Sequence, residues 1–438
     1  MPNPSLQTNL DLRARRWFVV GLFLVFVAVG ISYSHKVLNN RSAVMRWLPQ
    51  IRELDNGVDI SSQYHFGNPP IMALLLYPIL QLPPLAAALL WFALKVGFTM
   101  VSFWWVFRLI APEDRPFPLW AQGLVVLLTL RPIFGDLQHG NVNLLILVLI
   151  VASLTAYRHG RDLLAGLVLA LAIACKITPA LFLPYFLWKR SWRVLAGATI
   201  GLVLFFWPGI VPAVFLGMEE NQQQLVSWYG KMIAPVAHGQ VWSEHNNQSL
   251  PGLAIRMFTH SPSYSHYEAG WYTPDRYCNI ADLDPQLVLW LVKGCAAVFA
   301  LAFVCWCRTP TQPRIGWRLS AEFSLILLGM LLFSERTWKH YCAVLMLPFG
   351  VICYYLATGA PSVRLRNYLI GTLVGATLLI EATSTTLFAK DFAEMAQTYG
   401  AYVWAYLLLI AALWVLLRQK TADRAAPSEV PATAGIAR

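Results

Sequence analysis

Charge is scarce in this sequence. Only 13% of its 438 residues are Asp, Glu, Lys or Arg, where a soluble protein carries about a quarter. With 57% of the chain apolar or aromatic, there are too few polar side chains to cover a water-facing surface of this size. An ordinary soluble enzyme and a disordered chain are both excluded. Cysteine is sparse too. The seven thiols are Cys175, Cys278, Cys295, Cys305, Cys307, Cys342 and Cys353, and no CxxC occurs among them. Six lie in or beside apolar runs, so neither a disulfide scaffold nor a cysteine metal site is expected. Strict polar–apolar alternation is missing as well, which excludes a membrane β-barrel. Basic residues are in excess, at net charge +11, but they do not cluster on one amphipathic face, so no nucleic-acid partner is expected.

What the chain does have is repeated apolar runs near the ~20-residue membrane-spanning length. They fall at 17–33, 86–108, 118–131, 141–157, 163–175, 177–188, 194–215, 286–306, 319–333, 341–357, 367–385 and 399–417. The fold class is therefore an all-α polytopic membrane protein of about 10–12 transmembrane helices. Lys176 and Pro179 interrupt 163–188, which reads as one broken helix or two half-helices. Residues 1–418 form one integral-membrane domain. Residues 419–438, rich in Ala, Pro and Thr, are expected to be a disordered cytoplasmic tail.

Charge asymmetry sets the expected orientation. With the N-terminus inside, the inner connections hold Arg108, Arg115, Arg158, Arg161, Lys189, Arg190, Arg193, Arg308, Arg314, Arg318, Arg364, Arg366 and Arg418. That matches the positive-inside rule. The long segments 34–85 and 216–285 then lie outside. Eight of the nine histidines, all but His159, also fall on the outer side. A carrier is expected to scatter its costly polar groups along a mid-membrane path. Here Lys95 is the one mid-span charge, and the sequence names no partner for it.

Four outer stretches concentrate hydrogen-bonding groups. The first contains Asp55 and Asp59 around Asn56-Gly57, which suggests a turn. It continues through Asn68-Pro69-Pro70 to Pro83-Pro84, with a short interfacial helix expected over 71–82. The second, Arg131 to Asn143, packs Asp136, Gln138, His139, Asn141 and Asn143 into a connection of about nine residues. Gly140-Asn141 there suggests a tight helix start whose free N–H groups suit an anion. The third is Lys176 at the helix break, a cation that is costly to bury unless it meets an anion. The fourth, Ser334 to Tyr341, brings Glu335, Arg336, Trp338, Lys339 and His340 together. The segment 216–285 adds Trp228, Tyr229, Trp242 and other aromatics, which suit sugar faces and membrane interfaces alike.

The order of these stretches resembles glycosyltransferase family 87, the polyprenol-phosphate-mannose-dependent α-mannosyltransferases of the GT-C class. The resemblance rests on Asn68-Pro69-Pro70 with Leu75-Leu76-Tyr77-Pro78, Gly140-Asn141-Val142-Asn143, Ala165-Gly166 through Lys176-Ile177-Thr178-Pro179, and Ser334 with Trp338-Lys339-His340. It covers about residues 17–350. It implies an inverting enzyme of a bacterial inner membrane, with both termini cytoplasmic and an active site open to the outer face. The donor would be a polyprenyl-phosphate sugar and the acceptor a lipid or glycan, with no further cofactor and no essential metal. Mannose follows from the resemblance alone, and a pentose is compatible.

The resemblance also implies a carboxylate base in the first outer loop and cations for the leaving phosphate. Asp59 is the first candidate base, then Asp136, then Asp55. Lys176, Arg336, His340 and Arg131 are the candidate phosphate ligands. Gln138, His139, Asn141, Asn143, Glu335 and Trp338 are the candidates for sugar or acceptor binding. One position departs from the family. Where its members commonly carry an Asp, this chain reads Ser42-Ala-Val-Met-Arg46-Trp47. Either the base has moved to one of the three aspartates, or the chain is a divergent or inactive member. A flippase of lipid-linked sugar and a non-catalytic role in envelope assembly are the competing readings. Oligomeric state is open.

Overall fold

All twelve apolar runs are mainly helical in the computed structural model, 194–215 with a break at 206–209; the structure describes residues 4–64, 66–268 and 271–419. Among the described residues, seven helices are long and apolar enough to cross a membrane: Val20–Leu38, Pro84–Ile110, Trp192–Leu216, Pro285–Trp306, Lys339–Thr358, Val363–Ala382 and Ala401–Arg418. Among the described residues, strand is confined to one antiparallel hairpin, Tyr264–Glu268 with Trp271–Arg276. The chain is thus an all-α polytopic membrane protein. Its helices present exposed Leu, Val, Ile and Trp along their outward faces, as side chains bathed in lipid do. Of the expected tail at 419–438, residues 420–438 lie outside the described residues.

The proline and glycine punctuation acts as physical chemistry requires. Pro70 and Pro84 each stand at the first position of a helix, Pro70–Leu80 and Pro84–Ile110, where the missing N–H has no intrahelical partner to lose. The first of these is the expected short helix. The run 163–188 is broken: Asp162–Cys175 ends before Lys176, a 3-10 turn spans Thr178–Leu181, and Phe182–Trp188 follows. Asp162–Cys175 packs tightly on Trp192–Phe205, because a Cβ at Gly166 or Gly197 would overlap the facing backbone. Backbones approach this closely only through residues without side chains.

One expectation needs correction. The segment 131–139 is not a loop. The helix Leu119–His139 runs straight through it, and the turn is only Gly140 to Val142. Ile133 and Leu137, one helical turn apart, are fully buried. Their packing outweighs the loop-like character of the polar residues beside them. The helix stops at Gly140, whose φ of +73° suits glycine and whose N–H caps the carbonyls of Asp136 and Leu137. A Cβ there would also stand 2.9 Å from the Tyr33 hydroxyl. The long segment 216–285 contains regular elements. It carries the helices Met218–Trp228 and Leu250–Phe258 as well as the hairpin. Arg256, fully buried, ties it down by donating to the carbonyls of Ser243 (3.0 Å), Glu244 (2.8 Å) and Thr398 (2.7 Å). Burial draws this guanidinium down to about 10.

The two ends of the helix bundle differ. At one end lie basic residues of the expected inner connections, anchored to carbonyls and carboxylates: Arg158 on the Arg108 carbonyl, Lys189 on Glu322 at 2.9 Å, and Arg314 on Asp162. Glu322 is buried and also accepts from the Tyr185 hydroxyl and the Thr309 N–H. At the other end the polar residues of Arg131–Asn143, Lys176 and Ser334–Tyr341 converge.

Candidate functional site

The convergence is built by breaks in three helices. The turn at Gly140, the break at Lys176 and the 3-10 start of Lys339–Leu345 bring their side chains to one place. Lys95, from the Pro84–Ile110 helix, enters beneath them. Its ammonium is 3.1 Å from the Asp136 carboxylate, and both side chains are wholly buried. Lys95 also donates to the carbonyls of Asp136 (2.5 Å) and Asn141 (3.1 Å). The mid-span cation thus has its partner, 41 residues along the chain. The other carboxylate oxygen of Asp136 accepts from the Asn143 amide at 2.9 Å. Asn143 then turns its oxygen to Lys176 Nζ at 2.7 Å, and that ammonium lies 3.0 Å above the Tyr341 ring centre. Four side chains therefore run in series: Lys95, Asp136, Asn143, Lys176.

Lys176 and Tyr341 line a cavity with Asn143, Thr178 and Ser334 on its polar side. Ile146, Met330, Leu331 and Val344 form its apolar wall. A cation beside an apolar wall suits an anionic group carrying a hydrocarbon tail.

His340 stands next to this chain. The Asn141 side-chain oxygen is committed to the Val142 N–H at 2.7 Å. Its amide nitrogen therefore faces His340 Nε2 at 3.0 Å, and that ring nitrogen is an acceptor. His139 stacks on His340 with ring centres 4.8 Å apart, and Trp338 meets it edge-on at 5.4 Å. Gln138 accepts from Lys36 at 2.9 Å, which joins the first helix to the cluster.

The remaining predicted residues lie apart from this series. Arg131 pairs with Glu381 at 3.0 Å and bonds Thr383. Lys339 reaches the Thr383 carbonyl beside it. Arg336 is stacked on Trp242 at 3.8 Å and faces Trp338 at 5.5 Å. Burial pulls its guanidinium down, against the neighbouring Tyr341, Glu244 and Glu335. The Glu335 carbonyl accepts from Asn247, so the long segment is clamped over this connection. Asp59 is half-buried and accepts from the Ser62 N–H at 3.0 Å and from the Ser227 hydroxyl. Asp55 is exposed and accepts from the Tyr77 hydroxyl at 2.5 Å. Ser42 is buried and N-caps the helix Ala43–Arg52 through the Met45 N–H. Among the described residues, no group of three or more His, Cys, Asp and Glu side chains could hold a metal ion.

Comparison with known proteins decides the family. The sequence profile of glycosyltransferase family 87 matches residues 66–335, well over half of the chain. The chain belongs to glycosyltransferase family 87. The matched range holds Asp136, Asn143, Lys176 and Lys95, whereas His340 and Tyr341 follow just after it. Over 309 residues the family 87 chain is 24% identical to a polyprenol-phosphate-mannose-dependent alpha-(1-2)-phosphatidylinositol mannoside mannosyltransferase of Mycolicibacterium smegmatis. That alignment covers 67% of this chain and 60% of the relative. A Mycobacterium tuberculosis protein of the same description is 32% identical over 140 residues, covering 29% of this chain and 32% of that protein. The chain therefore spans at most about three-fifths of the length of these curated relatives. No solved structure matches.

Sequence reasoning flagged most residues of this cluster but gave no site role to Lys95 or Tyr341. Lys95 was conspicuous as a mid-span charge, yet nothing local points to Asp136. Tyr341 closes the Ser334–Tyr341 stretch without any signal of its own. Its position under Lys176 is set by the 3-10 turn of Lys339–Leu345, which no pattern in the sequence announces.

Proposed function

We propose that this protein transfers a mannosyl unit from a polyprenyl-phosphate donor to a lipid or glycan acceptor at the outer face of the membrane, with inversion. The observation that carries the reading is the Lys176 ammonium lining a half-apolar cavity, in a chain of glycosyltransferase family 87. The relatives are described as polyprenol-phosphate-mannose-dependent mannosyltransferases, which supports mannose and the lipid phosphate. Lys95, the lone mid-span charge, is ion-paired with Asp136.

The chemistry follows from the groups present. The acceptor oxygen attacks C1 of the mannosyl unit from the face opposite the phosphate. Its proton passes to a carboxylate as the new C–O bond forms. The bond between C1 and the phosphate oxygen breaks, and polyprenyl phosphate leaves with that electron pair. Lys176 stabilises the negative charge that develops there. We assign the base to Asp59. A base needs a lone pair within reach of the acceptor hydroxyl. Asp59 is only half-buried, with its oxygens held by the Ser62 N–H and the Ser227 hydroxyl and no cation paired to it among the described residues, whereas Asp136 is fully sealed and ion-paired to Lys95.

The test is transfer of labelled mannose from polyprenyl-phosphate-mannose in nanodiscs supplied with lipid extract. Wild type is expected to move label to a new product whose anomeric configuration is opposite to the donor's, and Asp59→Asn to lose this activity. Label that stays on the donor with wild type overturns the reading. Retained activity in Asp59→Asn overturns the base assignment alone.

A further inference from the structure

Lys176 Nζ has three donors to place. Among the described residues it makes one hydrogen bond, to Asn143 Oδ1. The Tyr341 face takes up part of its charge, and the rest is directed at the cavity. The ammonium therefore stays in place only as long as Asn143 presents its oxygen. An asparagine amide can turn end for end, and the turned form would set an NH2 group against the lysine. Asp136 prevents this. Its carboxylate oxygen accepts from Asn143 Nδ2 at 2.9 Å, and a carboxylate has no hydrogen to offer the turned amide's oxygen. Asp136 is in turn fixed by Lys95, which holds both its carboxylate and its carbonyl. All three side chains behind Lys176 are buried: Lys95 and Asp136 completely, Asn143 to within 4%.

We propose that Lys95 and Asp136 are positioning residues which, by fixing the orientation of Asn143, hold Lys176 as the binding group for the phosphate monoester of a lipid-linked ligand. The proposal rests on the reading of Lys176 given above and adds residues that never touch the ligand. It also explains why a costly mid-span ion pair is kept. Charge pairs of this kind often add nothing to stability over apolar side chains, but an apolar pair would leave the amide free to turn. The lysine would then be free to swing to solvent or settle on another acceptor.

The test is binding of decaprenyl monophosphate to the full chain in nanodiscs, with inorganic phosphate and the uncharged polyprenol as parallel ligands. Lys95→Met/Asp136→Leu removes the ion pair as a unit without leaving a buried charge. Asn143→Leu removes the bridge. Lys176→Met removes the cation. Each is expected to weaken lipid-phosphate binding at least tenfold and to leave polyprenol binding unchanged. Adding Lys176→Met to the Lys95→Met/Asp136→Leu variant is expected to cost no further affinity, because the positioning acts only through that lysine. A merely structural role would weaken both lipids, or would add to the loss from Lys176→Met.

Wild-type binding of the lipid monophosphate no tighter than polyprenol overturns the proposal, as does unchanged binding in the Lys95→Met/Asp136→Leu variant. Strong binding of inorganic phosphate, lost in the same variants, would assign the site to free phosphate and overturn the lipid source. If the double variant fails to fold, Asn143→Leu carries the test alone. Wild type that binds the lipid monophosphate yet transfers no mannose would sink the proposed function and leave this inference standing.

Discussion

The Lys95 ammonium and the Asp136 carboxylate stand 3.1 Å apart with both side chains cut off from solvent. They belong to different helices, and the pair closes the first of these against the second just below the Gly140 turn. Breaking such a pair leaves one bare charge in a low-dielectric interior, at a cost of about 3–5 kcal/mol. Lys95→Met alone, or Asp136→Leu alone, is expected to lower the detergent-solubilised protein's unfolding temperature sharply. Combining the two is expected to recover most of the loss. Thermal unfolding followed by tryptophan fluorescence checks this, and a double variant no better than the single ones would contradict it.

Asp59 and Asp55 make an internally controlled pair. Both sit around the Gly57 turn, and neither side chain is fully buried. Asp59→Asn is expected to lower the mannosyl transfer rate by about 10²–10⁴-fold, the usual worth of a general base, with an unchanged unfolding temperature. Asp55→Asn is expected to keep activity within a few-fold of wild type. Initial-rate measurements on the two purified variants decide it, and the reverse ranking would move the base to Asp55.

Arg256 holds the ordered part of the long segment by hydrogen bonds to main-chain carbonyls. Replacing it with Met strands those acceptors, each costing about 1–3 kcal/mol when left unpaired and buried. Limited proteolysis is expected to cut Arg256→Met between residues 236 and 249 at protease levels that spare wild type. Lysine is expected to rescue only in part, since one ammonium cannot reproduce the planar fork. Equal resistance of wild type and Arg256→Met would contradict the pinning role.

The close approach of Asp162–Cys175 to Trp192–Phe205 depends on Gly166 and Gly197. Gly197→Leu is expected to push the helices apart and cost more than about 3 kcal/mol, beyond ordinary overpacking, because backbone atoms stand in the way. Gly294, with open space around it, is the control, and Gly294→Leu is expected to behave as wild type. Size-exclusion profiles in mild detergent distinguish the two.

Orientation is testable without chemistry. In a variant lacking Cys278, Cys295 and Cys305, a cysteine at the exposed Arg46 or Ile280 is expected to react with an impermeant maleimide on intact cells. A cysteine at the exposed Asp114 is expected to react only after permeabilisation. The opposite pattern would invert the topology and move the proposed active site to the inner face.

The sequence by itself determined what its composition and spacing could carry. Apolar runs near the thickness of a bilayer made helices, because lipid offers backbone groups no partner outside the helix. Proline and glycine marked the helix start at Pro70, the break at Lys176 and the turn at Gly140. The motif order from Asn68 to His340 pointed to the family, and the residues flagged along it include Asp136, Asn143, Lys176 and His340. Tertiary structure decided the rest. Residues 131–139 read as a polar loop, but Ile133 and Leu137 had a core to enter, and burial outweighed local character. Lys95 announced a need for an anion without saying which one. The choice of Asp136 over Asp55 and Asp59 came from helix packing over long sequence separation. The same packing put Tyr341 under Lys176 and Trp242 under Arg336. Periodicity along one segment reports which face is buried. It holds no information about which segment buries it.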